Sequence, residues 1–240
     1  MLALLFGAVS LLYATVGQAG GTAFLAVMAF ASFASNEMRP TALLLNVVAA
    51  SYSTWLFNRG SLVDWTKLRP LLLASLPTAL FGGFVLLDER IYNAVTGIVL
   101  IFAAPVLVLR RTQDGDPDRT TPLLGADAVG AGVGFVSGLT GVGVGGGVFL
   151  APILITMHWA SPKQTAALSA PFILANSIVG LAGAMYVGQL PAHQTWLYAV
   201  AALLGAMIGT VVGMRLLSQT VTRYDLALIL ATAGIQLLLF

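Results

Sequence analysis

Hydrophobic residues fall along this chain in long blocks separated by short polar joints. Apolar runs of about 20 residues are typical of helices that cross a lipid bilayer. Six such runs are present, at residues 41–57, 70–87, 91–109, 164–187, 195–214 and 224–240. Two longer apolar regions, residues 1–34 and 128–157, are interrupted near their middle by glycine-rich segments. The pattern predicts an all-α integral membrane protein.

The composition agrees with this prediction. Of the 240 residues, 58% are hydrophobic and only 8% are charged, whereas a soluble domain carries about 25% charged residues. The net charge of +2 is explained by basic residues that flank membrane spans, so no nucleic-acid partner is predicted. There is no cysteine, and the only histidines, His158 and His193, lie in different joints. We therefore predict neither a metal centre nor a cofactor.

The chain is built from two related halves. A shift of 125 positions aligns residues 6–26 with residues 131–151 and gives seven identities without a gap. The identical pairs are Gly7/Gly132, Thr15/Thr140, Gly20/Gly145, Gly21/Gly146, Phe24/Phe149, Leu25/Leu150 and Ala26/Ala151. Three apolar runs follow each glycine segment. We predict a first membrane repeat at 1–112, a cytoplasmic linker at 113–122 and a second membrane repeat at 123–240.

Residues 1–34 are too long for one straight crossing, since a helix of that length spans about 51 Å against a hydrocarbon core of about 30 Å. Each glycine region either crosses once with a kink or enters and returns as a hairpin. Single crossings divide the eleven basic residues five against six between the two sides. Hairpins place only Arg39 and Arg90 on one side and the other nine opposite, a strong positive-inside asymmetry.

The hairpin arrangement fixes the predicted topology. Three crossings per half is an odd number, so the second half is inverted relative to the first. The fold class is therefore an all-α integral membrane protein with two inverted structural repeats. Each repeat is a Gly-broken re-entrant helical hairpin plus three transmembrane helices, and both termini lie outside the cytoplasm.

The two hairpin tips are the candidate binding site. Irregular backbone at membrane depth lines a cavity, and the half-helices that begin near Gly21 and Gly146 present free N–H groups and a positive dipole end. Two converging N-termini are suited to an anion. Asn46 and Asn176 lie in the first span after each hairpin. The predicted substrate-binding residues are Gly17, Gln18, Gly20, Gly21, Thr22, Asn46, Gly141, Gly143, Gly145, Gly146, Gly147 and Asn176.

Charged residues support an anion rather than a cation. Every Lys, Arg, Asp and Glu can be placed in a joint or at a span end, so no buried carboxylate is predicted for a cation or a proton relay. The neutral polar residues of the spans have an alternative role, because Ser and Thr often bond to their own helix backbone. Glycines such as Gly205, Gly209 and Gly213 are predicted to allow close helix packing.

No enzyme is predicted. Gly141, Gly143 and Gly146 match the spacing of a dinucleotide fingerprint, but that motif requires a strand before it and an acidic residue about 20 positions after it. Here it lies in an apolar membrane region, and no Asp or Glu occurs between Asp127 and Asp225. The sequence also lacks a P-loop, a nucleophile elbow and a cluster of metal ligands.

The glycine-rich stretch from Gly138 to Pro152 resembles the motif of the sulfite exporter TauE/SafE family, also called the toluenesulfonate uptake permease family. Residues 17–22 resemble the first-half copy, with Gln18 and Thr22 where the second half has Gly143 and Gly147. Residues 39–42 and 163–166 are similar to the segments that lead into the following spans. The resemblance implies sulfite, a sulfonate or a related sulfur anion as the substrate.

We therefore expect a permease for a small sulfur-containing anion in the cytoplasmic membrane of a prokaryote, with the lipid bilayer as its surroundings. An inside-negative potential favours anion exit by about 2.3 kcal/mol per charge per 100 mV, so export is favoured over import. The alternatives are an anion channel, a transporter of a neutral or cationic solute, and a membrane-embedded enzyme or non-transporting subunit. The sequence determines neither the anion nor the oligomeric state.

Overall fold

The computed structural model describes residues 1–31, 33–84, 91, 123–140, 150–216, 224, 228, 231 and 235. Every regular element among these residues is a helix, as the sequence predicts. The helices are α1 Leu2–Ala14, α2 Gly21–Phe30, α3 Ser35–Arg59, α4 Trp65–Phe84, α5 Leu123–Thr140, α6 Leu150–Thr156, α7 Pro162–Tyr186 and α8 Thr195–Leu216. The predicted runs 91–109 and 224–240 lie almost entirely outside the described residues.

Helices α4 and α7 begin at capping residues rather than where the hydrophobic runs begin. Asp64 caps α4, because its Oδ1 accepts hydrogen bonds from the N–H groups of Thr66 and Lys67 at 3.0 and 3.3 Å. Ser161 and Gln164 form a reciprocal capping box at the start of α7, which satisfies two otherwise free N–H groups. Within the described residues, Lys163–Tyr186 and Thr195–Arg215 are each long and apolar enough to cross a membrane.

Helices α1 and α8 run parallel and pack closely along a stripe of glycines. Gly205, Gly209 and Gly213 of α8 lie against Gly7, Leu11 and Thr15 of α1, and a Cβ on any of the three would overlap the facing carbonyl oxygen. A four-residue spacing keeps the glycines on one helix face. These glycines therefore have the packing role that the sequence predicts.

Helices α4 and α5 form a second parallel pair of the same kind, which the sequence analysis did not single out. Gly130, Gly134 and Gly138 of α5 lie against Leu71, Ser75 and Ala79 of α4. A Cβ on Gly130 would lie 2.5 Å from the Leu71 carbonyl oxygen, and the other two would overlap their partners. Both close-packed stripes are thus supplied by glycines from the second half of the chain.

Helices α3 and α7 pack against each other and run antiparallel. Thr41, near the start of α3, accepts a hydrogen bond at 2.9 Å from the N–H of Ala192, which follows α7. Further along, a Cβ on Gly180 of α7 would lie 3.5 Å from the Leu43 side chain. Helix α7 also packs on α4, and α3 also packs on α8, so the antiparallel pair lies between the two parallel pairs.

Candidate functional site

The first glycine segment breaks the helix where the sequence predicts. Helix α1 ends at Ala14 and α2 begins at Gly21. Between them, Gly17 and Gly20 adopt φ angles of +74° and +102°, a region that residues with a Cβ rarely enter. The N–H of Gln18 donates back to the Tyr13 carbonyl at 3.0 Å, which closes the turn.

Helix α2 returns along α1 toward the end where the chain began. The Phe24 ring of α2 lies 5.7 Å from the Phe6 ring of α1. Phe6 in turn lies 4.7 Å from Tyr198, and Phe33, beyond the end of α2, lies 6.0 Å from the same Tyr198 ring. The segment from α1 to α2 is therefore a helical hairpin whose turn spans residues 15–20.

The hairpin turn is held against the second half of the chain. A Cβ on Gly17 would overlap the backbone of Ala166, in the first turns of α7. On the other side of the turn, a Cβ on Gly20 would lie 3.0 Å from the Val9 side chain. The turn is thus packed between α1 and α7.

Asn46 faces the start of α2. A Cβ on Gly21 would lie 2.6 Å from Asn46 Nδ2 and 3.3 Å from Oδ1. Asn46 is fully buried near the middle of α3, and neither polar atom of its side chain has a hydrogen-bond partner among the described residues. The first turn of α2 leaves its N–H groups without acceptors from its own helix, and its dipole makes this end positive. The buried amide and the helix N-terminus form one polar surface.

Gln18 places a second buried amide nearby, in the hairpin turn itself. It is 3% exposed, and within the described part of the chain both polar atoms of its side chain lack a partner. A buried amide left without hydrogen bonds costs roughly 1–3 kcal/mol. One such amide in the turn and another facing the helix that follows it therefore favour a polar occupant, either water or a ligand.

Asn176 lies at the same level as Asn46. Gly180 of α7 contacts Leu43 of α3, and the helices are antiparallel. Each residue adds about 1.5 Å along a helix, so three residues forward from Leu43 and three residues back from Gly180 reach the same level. Asn46 and Ser177 are therefore level with each other. The structure thus brings the two asparagines named from the sequence to one depth, near the middle of both 25-residue helices.

Polar residues continue along α7 as a stripe. Thr165, Ser169 and Ser177 are buried, and among the described residues their hydroxyl groups have no hydrogen-bond partner. At about 100° per residue, these three and Asn176 lie within about 60° of Gly180, on the face toward α3. Of these four residues, only Asn176 is among the predicted substrate-binding residues; the four-residue spacing from Thr165 to Ser169 would have indicated the stripe.

Other hydroxyls have the ordinary role predicted for membrane helices. Thr15 donates to the Leu12 carbonyl and Ser51 to the Val47 carbonyl, each at 2.6 Å. Thr78 donates to the Ala74 carbonyl at 3.1 Å. These three satisfy their hydrogen bonds within their own helices, which distinguishes them from the α7 stripe.

Arg39 lies near the start of α3 and is half-buried. Its Nη2 donates at 2.8 Å to the carbonyl of Gly138, close to the end of α5. The chain continues from there into the second glycine segment, whose candidate residues Gly141, Gly143, Gly145, Gly146 and Gly147 lie outside the described residues. Thr22, the remaining candidate, lies in the first turn of α2. A positive side chain thus lies beside the entry to the second segment.

Metal ligands do not gather in the part of the chain that the structure describes: no three His, Cys, Asp or Glu side chains lie together there. The buried polar side chains of that part are Ser, Thr, Asn and Gln. The site therefore offers neutral hydrogen-bonding groups and a helix dipole rather than ionised ligands.

Comparison with known proteins identifies the family. Residues 2–237 match the sequence profile described as sulfite exporter TauE/SafE. The chain is 38% identical over 243 residues to the "Probable membrane transporter protein y4hK" of Sinorhizobium fredii, covering 99% of this chain and 97% of the relative. It is 24% identical over 220 residues to the "Probable membrane transporter protein YunE" of Bacillus subtilis, covering 82% and 79%. No solved structure matches the chain. The chain belongs to the sulfite exporter TauE/SafE family of membrane transporters.

Proposed function

We propose that this protein is a permease that carries a small sulfur-containing anion across the cytoplasmic membrane and binds it at the N-terminus of α2. The contact between Asn46 and Gly21 carries this proposal, because it combines a buried, unpartnered amide with a free helix end. The helix end supplies about half a positive charge and unpaired N–H groups. Asn46 Nδ2 adds a further donor at the same place.

The chemistry of the site favours an anion over a cation. Buried polar side chains in the described residues are uncharged, so no carboxylate there would neutralise a cation. The family description names sulfite, a small oxyanion whose oxygens accept hydrogen bonds. Gln18 replaces a glycine of the second-half motif at the turn, and we assign it a role in selecting among such anions.

Two inverted halves would give this site alternating access to the two sides of the membrane. The repeat makes α1 equivalent to α5, α3 to α7 and α4 to α8. When each helix is replaced by its equivalent in the other half, the α1–α8 pair becomes the α5–α4 pair. Both of these pairs are parallel and packed through glycines. The equivalent helices α3 and α7 run antiparallel, as an inverted repeat requires. The protein would then be multi-pass with both termini outside, and Gly141–Gly147 would form the second tip.

Export is the favoured direction. The membrane potential drives an anion outward by about 2.3 kcal/mol per charge per 100 mV. Coupling to a cation or a proton would call for a buried ionisable group, and the buried polar side chains of the described part are all neutral. A uniport that dissipates the anion gradient outward needs no such group.

The test is flux in proteoliposomes that contain the purified protein. Vesicles are loaded with radiolabelled sulfite, sulfoacetate, taurine or thiosulfate, and an inside-negative potential is imposed. The proposal predicts saturable efflux of at least one anion, accelerated by the potential, and counterflow when unlabelled anion is present outside. Saturation without counterflow would favour the anion channel. Absence of flux for all four compounds would refute the proposal.

A further inference from the structure

The orientation of the Asn176 amide is fixed by two acceptors. The Phe172 carbonyl oxygen can only accept, so the atom that faces it at 2.9 Å is the amide nitrogen. The Ser75 hydroxyl donates its hydrogen to the Leu72 carbonyl at 3.3 Å, and its oxygen accepts from Asn176 Nδ2 at 3.2 Å. Both amide hydrogens are therefore engaged, and exchanging the nitrogen and the oxygen would set two carbonyl oxygens against each other at the Phe172 contact.

The remaining atom, Asn176 Oδ1, is an acceptor without a donor among the described residues, and it is buried. Asn176 is about 40° around α7 from Gly180, the residue that contacts Leu43 of α3, and it is about level with Asn46 along the paired helices. A fully deprotonated anion offers only acceptor oxygens, which would face this carbonyl oxygen unfavourably. A solute with its own hydrogen-bond donor would satisfy it.

We infer that the transported species is a singly charged sulfur oxyanion that carries an O–H or N–H group, which donates to Asn176 Oδ1 while its other oxygens accept from the α2 N-terminus. This inference rests on the proposed function of the same site. For the sulfite system it selects hydrogensulfite over the sulfite dianion. Ser75 is then a positioning residue, since it holds the amide of Asn176 in the accepting orientation.

A matched pair of probes isolates the donor. Sulfamate and methanesulfonate have nearly the same shape and the same single charge, but sulfamate carries an NH2 group where methanesulfonate carries a methyl group. Binding of each is measured on the purified full-length protein by ligand-induced thermal stabilisation. We expect sulfamate to bind at least about tenfold more tightly, because methanesulfonate leaves a buried acceptor unpaired.

Two variants test whether Asn176 causes the preference for sulfamate over methanesulfonate. In Asn176→Leu we expect the ratio of the two affinities to fall close to one. In Ser75→Ala we expect an intermediate ratio. If Asn176→Leu does not fold, Ser75→Ala still tests the inference. Ser51→Ala is the control, because its hydroxyl donates to the Val47 carbonyl of its own helix, and it should keep the full preference.

The outcomes separate this inference from the proposed function. Equal binding of the two probes to the natural protein would overturn the donor requirement and leave the anion site intact. An unchanged preference in both Asn176→Leu and Ser75→Ala would also overturn it. Failure of both probes to bind at all would overturn the inference together with the anion site.

Discussion

Asn46 and Gly21 are in contact at the point where α2 begins: a Cβ on Gly21 would lie 2.6 Å from the side-chain nitrogen of Asn46. One residue is the first of a half-helix, and the other lies in the middle of a 25-residue helix. The contact therefore brings a buried amide to a positive helix end, and a side chain at position 21 would require the Asn46 amide to shift.

The first prediction concerns Gly21→Ala. The added methyl group would displace the Asn46 amide, so we expect transport to fall at least tenfold while the protein is still expressed and folded. Gly132→Ala is the matched control, because a Cβ at Gly132 meets nothing within 4 Å and alanine favours the helix by about 1 kcal/mol. Flux in proteoliposomes checks both, and equal activity of the two variants would contradict the prediction.

The second prediction compares two changes of Asn46. Asn46→Asp places a negative charge beside the anion, and like charges at close range cost several kcal/mol, so binding should weaken by about a hundredfold or more. Asn46→Ser keeps a donor and should lose less. Anion binding to the purified variants is the measurement, with melting temperature showing that both are folded. Comparable binding by both variants would show that Asn46 does not face the anion.

The third prediction separates backbone strain from crowding at the hairpin turn. Gly17 and Gly188 both have positive φ, which costs a residue with a Cβ about 1–2 kcal/mol. Only at Gly17 would the Cβ also overlap a neighbour, the backbone of Ala166, whereas Gly188 has open space. Gly17→Ala should therefore lower the melting temperature in detergent clearly more than Gly188→Ala. Equal losses would mean that the turn is not packed on α7.

The fourth prediction tests the glycine stripes. Gly134→Leu and Gly209→Leu each insert a side chain where the backbones of α4–α5 and α1–α8 meet. Overpacking costs 1–3 kcal/mol or more, so both variants should lose thermal stability. Gly132→Leu, on the open face of α5, serves as the control and should retain it. A stable Gly134→Leu variant would contradict the close α4–α5 contact.

The fifth prediction concerns pH and the cap of α4. Partial burial raises the pKa of the Asp64 carboxyl, but hydrogen bonds from Thr66 and from the Lys67 backbone, with the Lys67 charge, outweigh it and lower the pKa overall. A lowered pKa stabilises the folded state above the ordinary Asp range, and this contribution is lost as the pH falls through the folded value. Asp64→Ala should cost about 1 kcal/mol near neutral pH, and the difference from the natural protein should shrink in acid. A constant difference across that range would contradict the assignment.

The sequence predicted the elements that depend on local chemistry. The break after Ala14 follows from a region too long for one crossing and rich in glycine, and α2 begins at Gly21, where the half-helix was expected. The packing role of Gly205, Gly209 and Gly213 follows from their spacing along an apolar run. Buried asparagines in such runs also indicate function without any knowledge of the fold.

Contacts between the halves could not be predicted in this way. The pairing of Gly134 with Ser75 and the engagement of Asn176 by Ser75 depend on which helices become neighbours. The sequence places Arg39 in the segment that leads into the apolar run 41–57. In the structure α3 begins earlier, at Ser35, and the Arg39 side chain reaches the Gly138 carbonyl on another helix. Such partners depend on tertiary packing, which cannot be read from the amino-acid sequence alone.

The most direct test locates the anion itself. Selenite has the shape and charge of sulfite, and its selenium atom scatters anomalously, so its position can be read from an anomalous difference map of crystals grown with it. The prediction is a selenium peak beside the start of α2, placed so that selenite oxygens accept hydrogen bonds from its first N–H groups and from Asn46 Nδ2, and this peak disappears in Gly21→Ala. A selenite peak elsewhere, with none at the start of α2, would contradict it.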